Sequence, residues 1–352
     1  MKALILAGGH GTRLRPITHT QSKQLIPVAN KPILFYGLEA VAEAGIREVV
    51  VIVGDTEEEI RKAVGDGSAW GLDITYVRQD APLGLAHAVL AAREHLEGGP
   101  FLMYLGDNLV REGLGSFVRT FEEHRPDAQI FLVKVPDPER FGVAVVDTDR
   151  VVRLVEKPAE HISDMAMSGV YLFAPAIFEA ASSIRPSGRG ELEITDAIQY
   201  LVDHGYSVRA ELITDWWKDT GKLEDLLEAN RFVLNDQERS IEGDVDEASH
   251  VVGDVHIAPG AVVRDSVIRG PSTIAEGCRV EHSIIDPWTS INANTQVVDS
   301  EIGNSIVMGD CHISEARLIR GSLVGRNVRI SRAAPGPCVQ LMVGDNCAIA
   351  LP

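Results

Sequence analysis

The stretch VIRGPSTIAEGCRVEHSII, residues 267–285, carries an aliphatic side chain at Ile268, Ile274 and Val280, then restarts at Ile285 after five residues instead of six. The pattern runs on in both directions, through Val251, Ile257 and Val263 before it and Ile291, Val297, Ile302 and Met308 after it. Two steps of six and one of five make a unit of 17 residues, which Val251, Ile268, Ile285 and Ile302 repeat. Three short faces per unit predict a triangular solenoid, because repeats too small to bury a face alone must stack on their neighbours.

The residue two before each aliphatic position is usually small, as at Ser249, Ala261, Ser266, Ser272, Cys278, Ser283, Thr289, Thr295, Ser300, Cys311 and Ala316. A small side chain fits beside an inward-pointing aliphatic one at a tight corner. Cys278, Cys311 and Cys347 fall in that slot, and with Cys338 they lack the close pairing of zinc ligands, so all four read as reduced structural thiols. Pro335-Gly336-Pro337 interrupts the array, and Val343 to Ile349 reads as one more turn. Such hexapeptide repeats resemble left-handed parallel β-helices.

Upstream of the repeats the periodicity changes. Short β-rich runs at Ala3–Leu6, Val49–Val53, Ile74–Val77 and Phe101–Leu105 alternate with amphipathic stretches such as Leu83–Leu96, which predicts an α/β domain with a mixed, mostly parallel sheet. Ala128–Val135, Val143–Val146 and Val151–Val155 read as later strands, and Leu223–Leu234 as a final helix. The expected organisation is a first domain over residues 1–236, a linker over 237–248 and the solenoid with its tail over 249–352.

Composition narrows the function classes. The chain of 352 residues holds 33 Lys plus Arg against 51 Asp plus Glu, a net charge of −18 that argues against a broad nucleic-acid surface. An anionic ligand then needs local cations or a metal ion. The longest purely aliphatic run, Val49–Val53, is too short to span a bilayer, and the opening residues leave no room for a leader. A cytoplasmic protein without a membrane partner is expected.

The first strand runs directly into Gly8-Gly9-His10-Gly11-Thr12-Arg13-Leu14-Arg15-Pro16, where backbone N–H groups can close around phosphate oxygens. The spacing fits neither the dinucleotide fingerprint nor a P-loop. Lys23 follows in Ser22-Lys23-Gln24-Leu25-Ile26-Pro27-Val28, then Lys31-Pro32-Ile33. Further on stand Gln79 before Pro82-Leu83-Gly84, the apolar strand ending in Gly106-Asp107-Asn108, then Phe141-Gly142, Glu156-Lys157-Pro158, Ser168-Gly169-Val170-Tyr171, Arg189 to Asp196, and Trp216-Trp217-Lys218-Asp219. An apolar strand that delivers a carboxylate at its carboxyl end suits a ligand site in an open α/β sheet.

Together these segments resemble the sugar nucleotidyltransferases, and Ser22-Lys23-Gln24-Leu25 resembles the version in glucose-1-phosphate thymidylyltransferases of the long form, which carry an appended β-helix. The resemblance implies a Rossmann-like nucleotidyltransferase domain that converts dTTP and glucose 1-phosphate to dTDP-glucose and pyrophosphate for deoxysugar pathways, with Mg2+. It implies Arg13, Lys23 and Lys157 as catalytic cations and Leu6, Gly8, Gly9, Gly11, Thr12, Arg13, Gln24, Gln79, Pro82, Gly84 and Asp107 along the nucleotide. The sugar phosphate would meet Asn108, Phe141, Gly142, Glu156, Lys157, Val170 and Trp217, and the metal Asp107 and Asp219. Many relatives carry Tyr where Phe141 stands, so one hydroxyl contact is missing.

Two alternatives remain open on sequence. One methyl group separates thymine from uracil, so UTP is a second candidate substrate. A non-catalytic regulatory or assembly subunit of the same fold is the other, against which the intact Arg13, Lys23, Asp107, Lys157 and Asp219 argue. His250, His256, His282 and His312 sit in no acyl-transfer motif and read as structural or surface residues. The solenoid is expected to build a homo-oligomer or an effector site.

Overall fold

The computed structural model describes residues 1–332, 341–345 and 347–351. Cys338 and Pro335-Gly336-Pro337 lie outside the described residues. The chain forms two compact units: Met1–His10 with Leu34–Asp219, and Gly11–Ile33 with Thr220–Pro352.

The first unit is built on β1 (Lys2–Leu6), β2 (Glu48–Val53), β3 (Asp73–Arg78), β4 (Phe101–Leu105), β5 (Asn108–Val110), β6 (Ala128–Lys134), β7 (Gly142–Asp147), β8 (Arg150–Glu156), β9 (Met165–Phe173), β10 (Val208–Leu212) and β11 (Trp217–Asp219). Nine of these form one mixed sheet in the order β3-β2-β1-β4-β9-β6-β10-β8-β7. β1 pairs parallel with both β2 and β4, and β2 parallel with β3. β9 enters antiparallel between β4 and β6. The central strands are continuous apolar runs, as EVVVIV in β2 and FLMYL in β4, because both faces are covered. The helix Leu114–His124 shows the complementary spacing, burying Leu114, Phe117, Val118 and Phe121 on one side.

Strand order reverses beside β1: β2 and β3 extend to one side, β4 and β9 to the other. Such a reversal leaves a crevice outside the carboxyl ends of the strands, where ligands bind in open α/β sheets. Glycines let the chain pass closely there. A Cβ on Gly54 would lie 2.9 Å from the Gly8 carbonyl oxygen, and one on Gly106 would lie 2.8 Å from that of Leu6.

The second unit holds the solenoid, three parallel sheets whose strands recur once per coil. Val251, Ile268, Ile285, Ile302 and Ile319 stack in direct register. Val263, Val280, Val297 and Ile313 form a second column, and Ile257, Ile274, Ile291 and Val307 a third. The stacking begins earlier than the repeats suggest, since Ser240–Ile241 and Asp244–Val245 already join the sheets within the stretch expected as a linker. At the far end Val343 and Ile349 extend two of the columns.

The six-residue step expected from Ile302 to Met308 is five in the structure, so Val307 takes the column position opposite Ile291. Met308 remains fully buried, next along the chain. The small residues at the corners do more than fit. Ser266 donates its N–H to the Ser249 hydroxyl (3.1 Å), Ser283 to Ser266 (3.0 Å), Ser300 to Ser283 (3.1 Å) and Ala316 to Ser300 (3.0 Å). Cys278 and Cys311 occupy the same kind of position, their thiols donating to the carbonyls of Asn292 (3.1 Å) and Gly325 (3.0 Å).

The helix Leu223–Asn235 also belongs to this unit, as does the segment Gly11–Ile33, which holds three short 3-10 turns and the hairpin Pro27–Val28 with Lys31–Pro32.

Candidate active site

At the switch point of the first unit, β1 delivers Leu6, which is buried, then Gly8 and the exposed Gly9. β4 delivers Gly106, whose N–H donates to the Leu6 carbonyl at 2.9 Å, and then Asp107. Asn108 opens β5, which pairs antiparallel with β11 so that Asp219 stands opposite Asn108. Asp219 thereby pairs with the residue that follows Asp107. Two carboxylates at such a place supply hard oxygen ligands of the type magnesium takes, with water and phosphate completing the shell. Among the described residues no group of three or more His, Cys, Asp or Glu side chains is arranged to hold a metal ion, so any ion here needs those further oxygens.

Gln79 follows β3, its N–H bonded to the Val53 carbonyl at 2.9 Å. Its amide nitrogen reaches the Gly84 carbonyl at 3.1 Å and His87 Nδ1 at 3.0 Å. With those donors engaged, the Gln79 carbonyl oxygen is the group left to accept from a ligand, such as the imide N–H of a pyrimidine. His87 is thus the residue that orients Gln79. Pro82 is exposed in the same turn. Gly84 has φ 101° and lies so close to the Leu192 backbone that any Cβ would overlap it. Leu192 closes this contact by donating its N–H to the Leu83 carbonyl (2.7 Å) and accepting from Ala86 (3.0 Å).

The residues expected around a sugar phosphate come from the far half of the sheet and from the β5–β11 ladder. β9 slips register between Met167 and Tyr171, with Gly169 at φ 83° in the irregularity. This turns the Ser168 carbonyl toward two donors, Asn108 Nδ2 at 2.5 Å and Trp217 Nε1 at 2.7 Å. Trp217 meets the Phe141 ring edge-on at 5.7 Å. Val170, buried, donates its N–H to the Ser168 hydroxyl at 3.3 Å. Thus Asn108, Phe141, Val170 and Trp217 form one connected group.

Glu156 ends β8 opposite Gly142. Its Oε2 accepts from the Thr195 hydroxyl at 2.6 Å, and its Oε1 lies 3.2 Å from Arg189 and 3.3 Å from Lys157 Nζ. A Cβ on Gly142 would fall 2.9 Å from Glu156 and 2.7 Å from the Thr195 hydroxyl, so a larger residue there would have to displace these side chains. Lys157 has φ 43°, a conformation that costs a non-glycine residue energy and persists where its surroundings fix it. Here the Lys157 N–H is held by the Phe141 carbonyl at 2.9 Å. Arg189 also contacts Glu193 at 2.8 Å, which accepts from the Ser187 hydroxyl at 2.7 Å. The same neighbourhood perturbs Asp196: burial, then the carboxylates of Glu193 and Glu156, hold its carboxyl above the usual range. Thr195 was legible in sequence only as part of the Arg189–Asp196 segment.

Gly11, Thr12, Arg13, Lys23 and Gln24 belong to the second unit. Gly11 has φ 59°, and a Cβ there would meet Lys23 Cβ and Thr18 Cγ2, both at 2.9 Å. The Thr18 hydroxyl donates to the Gly11 carbonyl at 2.8 Å. Thr12 and Arg13 are exposed on the following turn, whereas Lys23 and Gln24 are buried. The Ser22 hydroxyl lies 2.7 Å from Gln24 Oε1.

The nucleotidyl transferase family profile matches residues 2–236. A glucose-1-phosphate thymidylyltransferase of Streptomyces antibioticus is 52% identical over 100% of this chain and 99% of its own length. Among solved structures, a Bacillus anthracis chain described as a candidate glucose-1-phosphate thymidylyltransferase, in complex with sucrose, is similar with a TM-score of 0.63 and 33% identity, over 66% of this chain and 94% of that one. A UDP-glucose pyrophosphorylase complexed with UDP-glucose is similar with a TM-score of 0.61 and 25% identity, over 67% and 99% of the two chains. The chain belongs to the nucleotidyl transferase family, together with the full-length Streptomyces enzyme that it matches from end to end.

Proposed function

We propose that this protein transfers a thymidylyl group from dTTP to glucose 1-phosphate, releasing pyrophosphate and giving dTDP-glucose for deoxysugar synthesis. The observation that carries this reading is the pairing of Asp219 with Asn108 beside Asp107, at the carboxyl end of β4 where the sheet reverses its order. End-to-end similarity to a named thymidylyltransferase supports it.

Gly8 and Gly9 line the triphosphate with Leu6, while Gly11 and Thr12 continue that loop and Arg13 counters the charge of the departing pyrophosphate. Gln79, held by Gly84 and His87, accepts from the imide N–H of the base, Pro82 belongs to the same turn, and Gln24 is assigned to the nucleotide as well. Asn108, Phe141, Gly142, Val170 and Trp217 shape the sugar subsite. Glu156 accepts hydrogen bonds from hexose hydroxyls, and Lys157 receives the phosphate of the incoming sugar. Asp107 and Asp219 would hold Mg2+, which supplies charge neutralisation at the triphosphate.

In the reaction an oxygen of the sugar phosphate attacks the α-phosphorus of dTTP in line and pyrophosphate leaves, with no covalent intermediate on the protein. Lys23 and Lys157 lower the repulsion between the two anions, so the protein acts mainly by placing them. Activity in the cytoplasm, as a homo-oligomer without nucleic acid or membrane partners, completes the reading.

Transfer of uridylyl groups is the second reading, favoured by the similarity to a pyrophosphorylase solved with UDP-glucose. The Gln79 carbonyl recognises thymine and uracil alike. Pyrophosphate release from the purified chain, across nucleoside triphosphates and sugar 1-phosphates, tests both. The first reading predicts the highest kcat/KM with dTTP and glucose 1-phosphate. A preference for UTP replaces it with the second, and no release with any pair removes both.

A further inference from the structure

We propose that the solenoid acts as the seat of the Gly11–Ile33 segment, with Asn230 as a positioning residue for Lys23. The inference rests on the phosphate role proposed above for Lys23.

The segment leaves Lys23 through a short turn, Ile26 donating its N–H to the Lys23 carbonyl at 3.1 Å, and runs into the hairpin whose turn is Ala29-Asn30. Both turn residues are left-handed, with φ 46° and 66°. Asparagine tolerates that conformation, but for alanine it is strained and needs external support. The support is Asn230, a fully buried side chain on the helix Leu223–Asn235. Its Oδ1 accepts the Ala29 N–H at 2.8 Å and the Ser290 hydroxyl at 2.7 Å, while its Nδ2 donates to the Trp288 carbonyl at 3.0 Å. Ser290 and Trp288 are solenoid residues, so a single buried amide ties the hairpin turn, the helix and one coil together. Beside it, Asn30 Nδ2 donates directly to the Ile291 carbonyl at 3.0 Å.

The segment is also held on the other side of Lys23. The buried Gln21 places its amide nitrogen 3.7 Å from the Met308 sulfur, and the Thr20 hydroxyl donates to Asp345 at 2.9 Å. Met308 is the residue that the five-residue step puts beyond the regular column, so the irregular coil is also one that meets the segment. A lysine anchored before and after by one scaffold is preorganised, and its ammonium group gains catalytic value from that placement. These anchors give the solenoid a part in placing Lys23, although they lie far along the chain from the glycine loop.

The test uses the full-length protein and compares Asn230→Ala, Ser290→Ala, Lys23→Ala and the double variant Asn230→Ala/Lys23→Ala, each assayed for kcat, both KM values and Tm. Ile268→Val, a change inside the solenoid column, is the control for simple loss of stability. We expect Asn230→Ala to lower kcat about tenfold or more, well below its Tm, with smaller changes in KM. Ser290→Ala should give a milder loss of the same kind, and Ile268→Val a lower Tm with kcat unchanged. The double variant should be no slower than Lys23→Ala alone, because the seat acts through Lys23. Normal kcat in Asn230→Ala and Ser290→Ala with a severe loss in Lys23→Ala overturns the seat alone, as does strict additivity in the double variant. Near-normal kcat in Lys23→Ala overturns the phosphate role itself. Should Asn230→Ala fail to fold, Ser290→Ala decides by the same criteria.

Discussion

Asp219 faces Asn108 across the short antiparallel ladder of β5 and β11, which sets it beside Asp107 although the two acidic residues are separated by most of the first unit's chain. If both carboxylates serve one magnesium ion, either Asp107→Asn or Asp219→Asn should cut turnover about a hundredfold or more and raise the magnesium concentration needed for half-maximal rate. Chelation of divalent ions should abolish turnover and added Mg2+ should restore it. Titration of initial rates against Mg2+ checks this, and an unchanged magnesium requirement in both variants would remove the assignment.

Gly169 is the residue on which the Asn108 side chain rests, and a Cβ at that point would overlap Asn108 Nδ2. Gly169→Ala should therefore raise the KM for the sugar phosphate more than that for the nucleotide. It should also cost about 1–3 kcal/mol of stability through strain at positive φ and the displaced amide. Steady-state kinetics with one substrate varied at a time, together with denaturant unfolding, separate the two effects.

Gly84→Ala should act at the other end of the site. Its new methyl group meets the Leu192 backbone, and the Gly84 carbonyl that helps hold Gln79 must shift. The nucleotide KM should rise about tenfold, a loss comparable to one or two hydrogen bonds, with the KM for the sugar phosphate moving less. Equal effects on both substrates would argue against a local role for this turn.

Asp196 supplies a pH test. Its folded-state pKa is raised, by burial first and by Glu193 and Glu156 next, so folding favours the protonated carboxyl. The stabilising contribution is present at acid pH and is lost as pH rises through the folded pKa, leaving an ionised group that the folded state holds less well. Asp196→Asn should consequently raise Tm at neutral pH, and the gap to the parent should narrow on acidification. A gap that widens toward acid would reverse the assignment. Melting curves across the acid-to-neutral range provide the measurement.

Burial pushes the Cys278 and Cys311 thiols up to about 11. At pH 8 roughly one molecule in a thousand would carry either thiolate. Iodoacetamide should leave both unmodified in the native protein and label both in denaturant, as peptide mass mapping would show.

The architecture was largely legible because its signals are periodic. A recurrence of aliphatic residues every 17 positions leaves few ways to stack, and the observed columns Val251–Ile319 and Val263–Val297 follow it. The shortened step before Val307 was hidden, since Val307 and Met308 are equally apolar and only packing separates them. The expected site residues were assigned through resemblance of short motifs. Their supports were not: His87, Thr195 and Asn230 act by pointing an ordinary side chain at a neighbour distant in sequence, and no local pattern marks such a residue. The serine corners were read as a matter of size, while their hydroxyls also serve as acceptors.

Those hydroxyls have a consequence for how the protein can change length. Ser249, Ser266, Ser283 and Ser300 each cap an amide of the following coil, so each of these four layers presents an acceptor upward. A duplicated or excised layer leaves no orphan amide only when it is a whole repeat cut at the serine. The tower can thus grow or shrink by copying complete storeys, and insertions of other lengths are forced out to the corners.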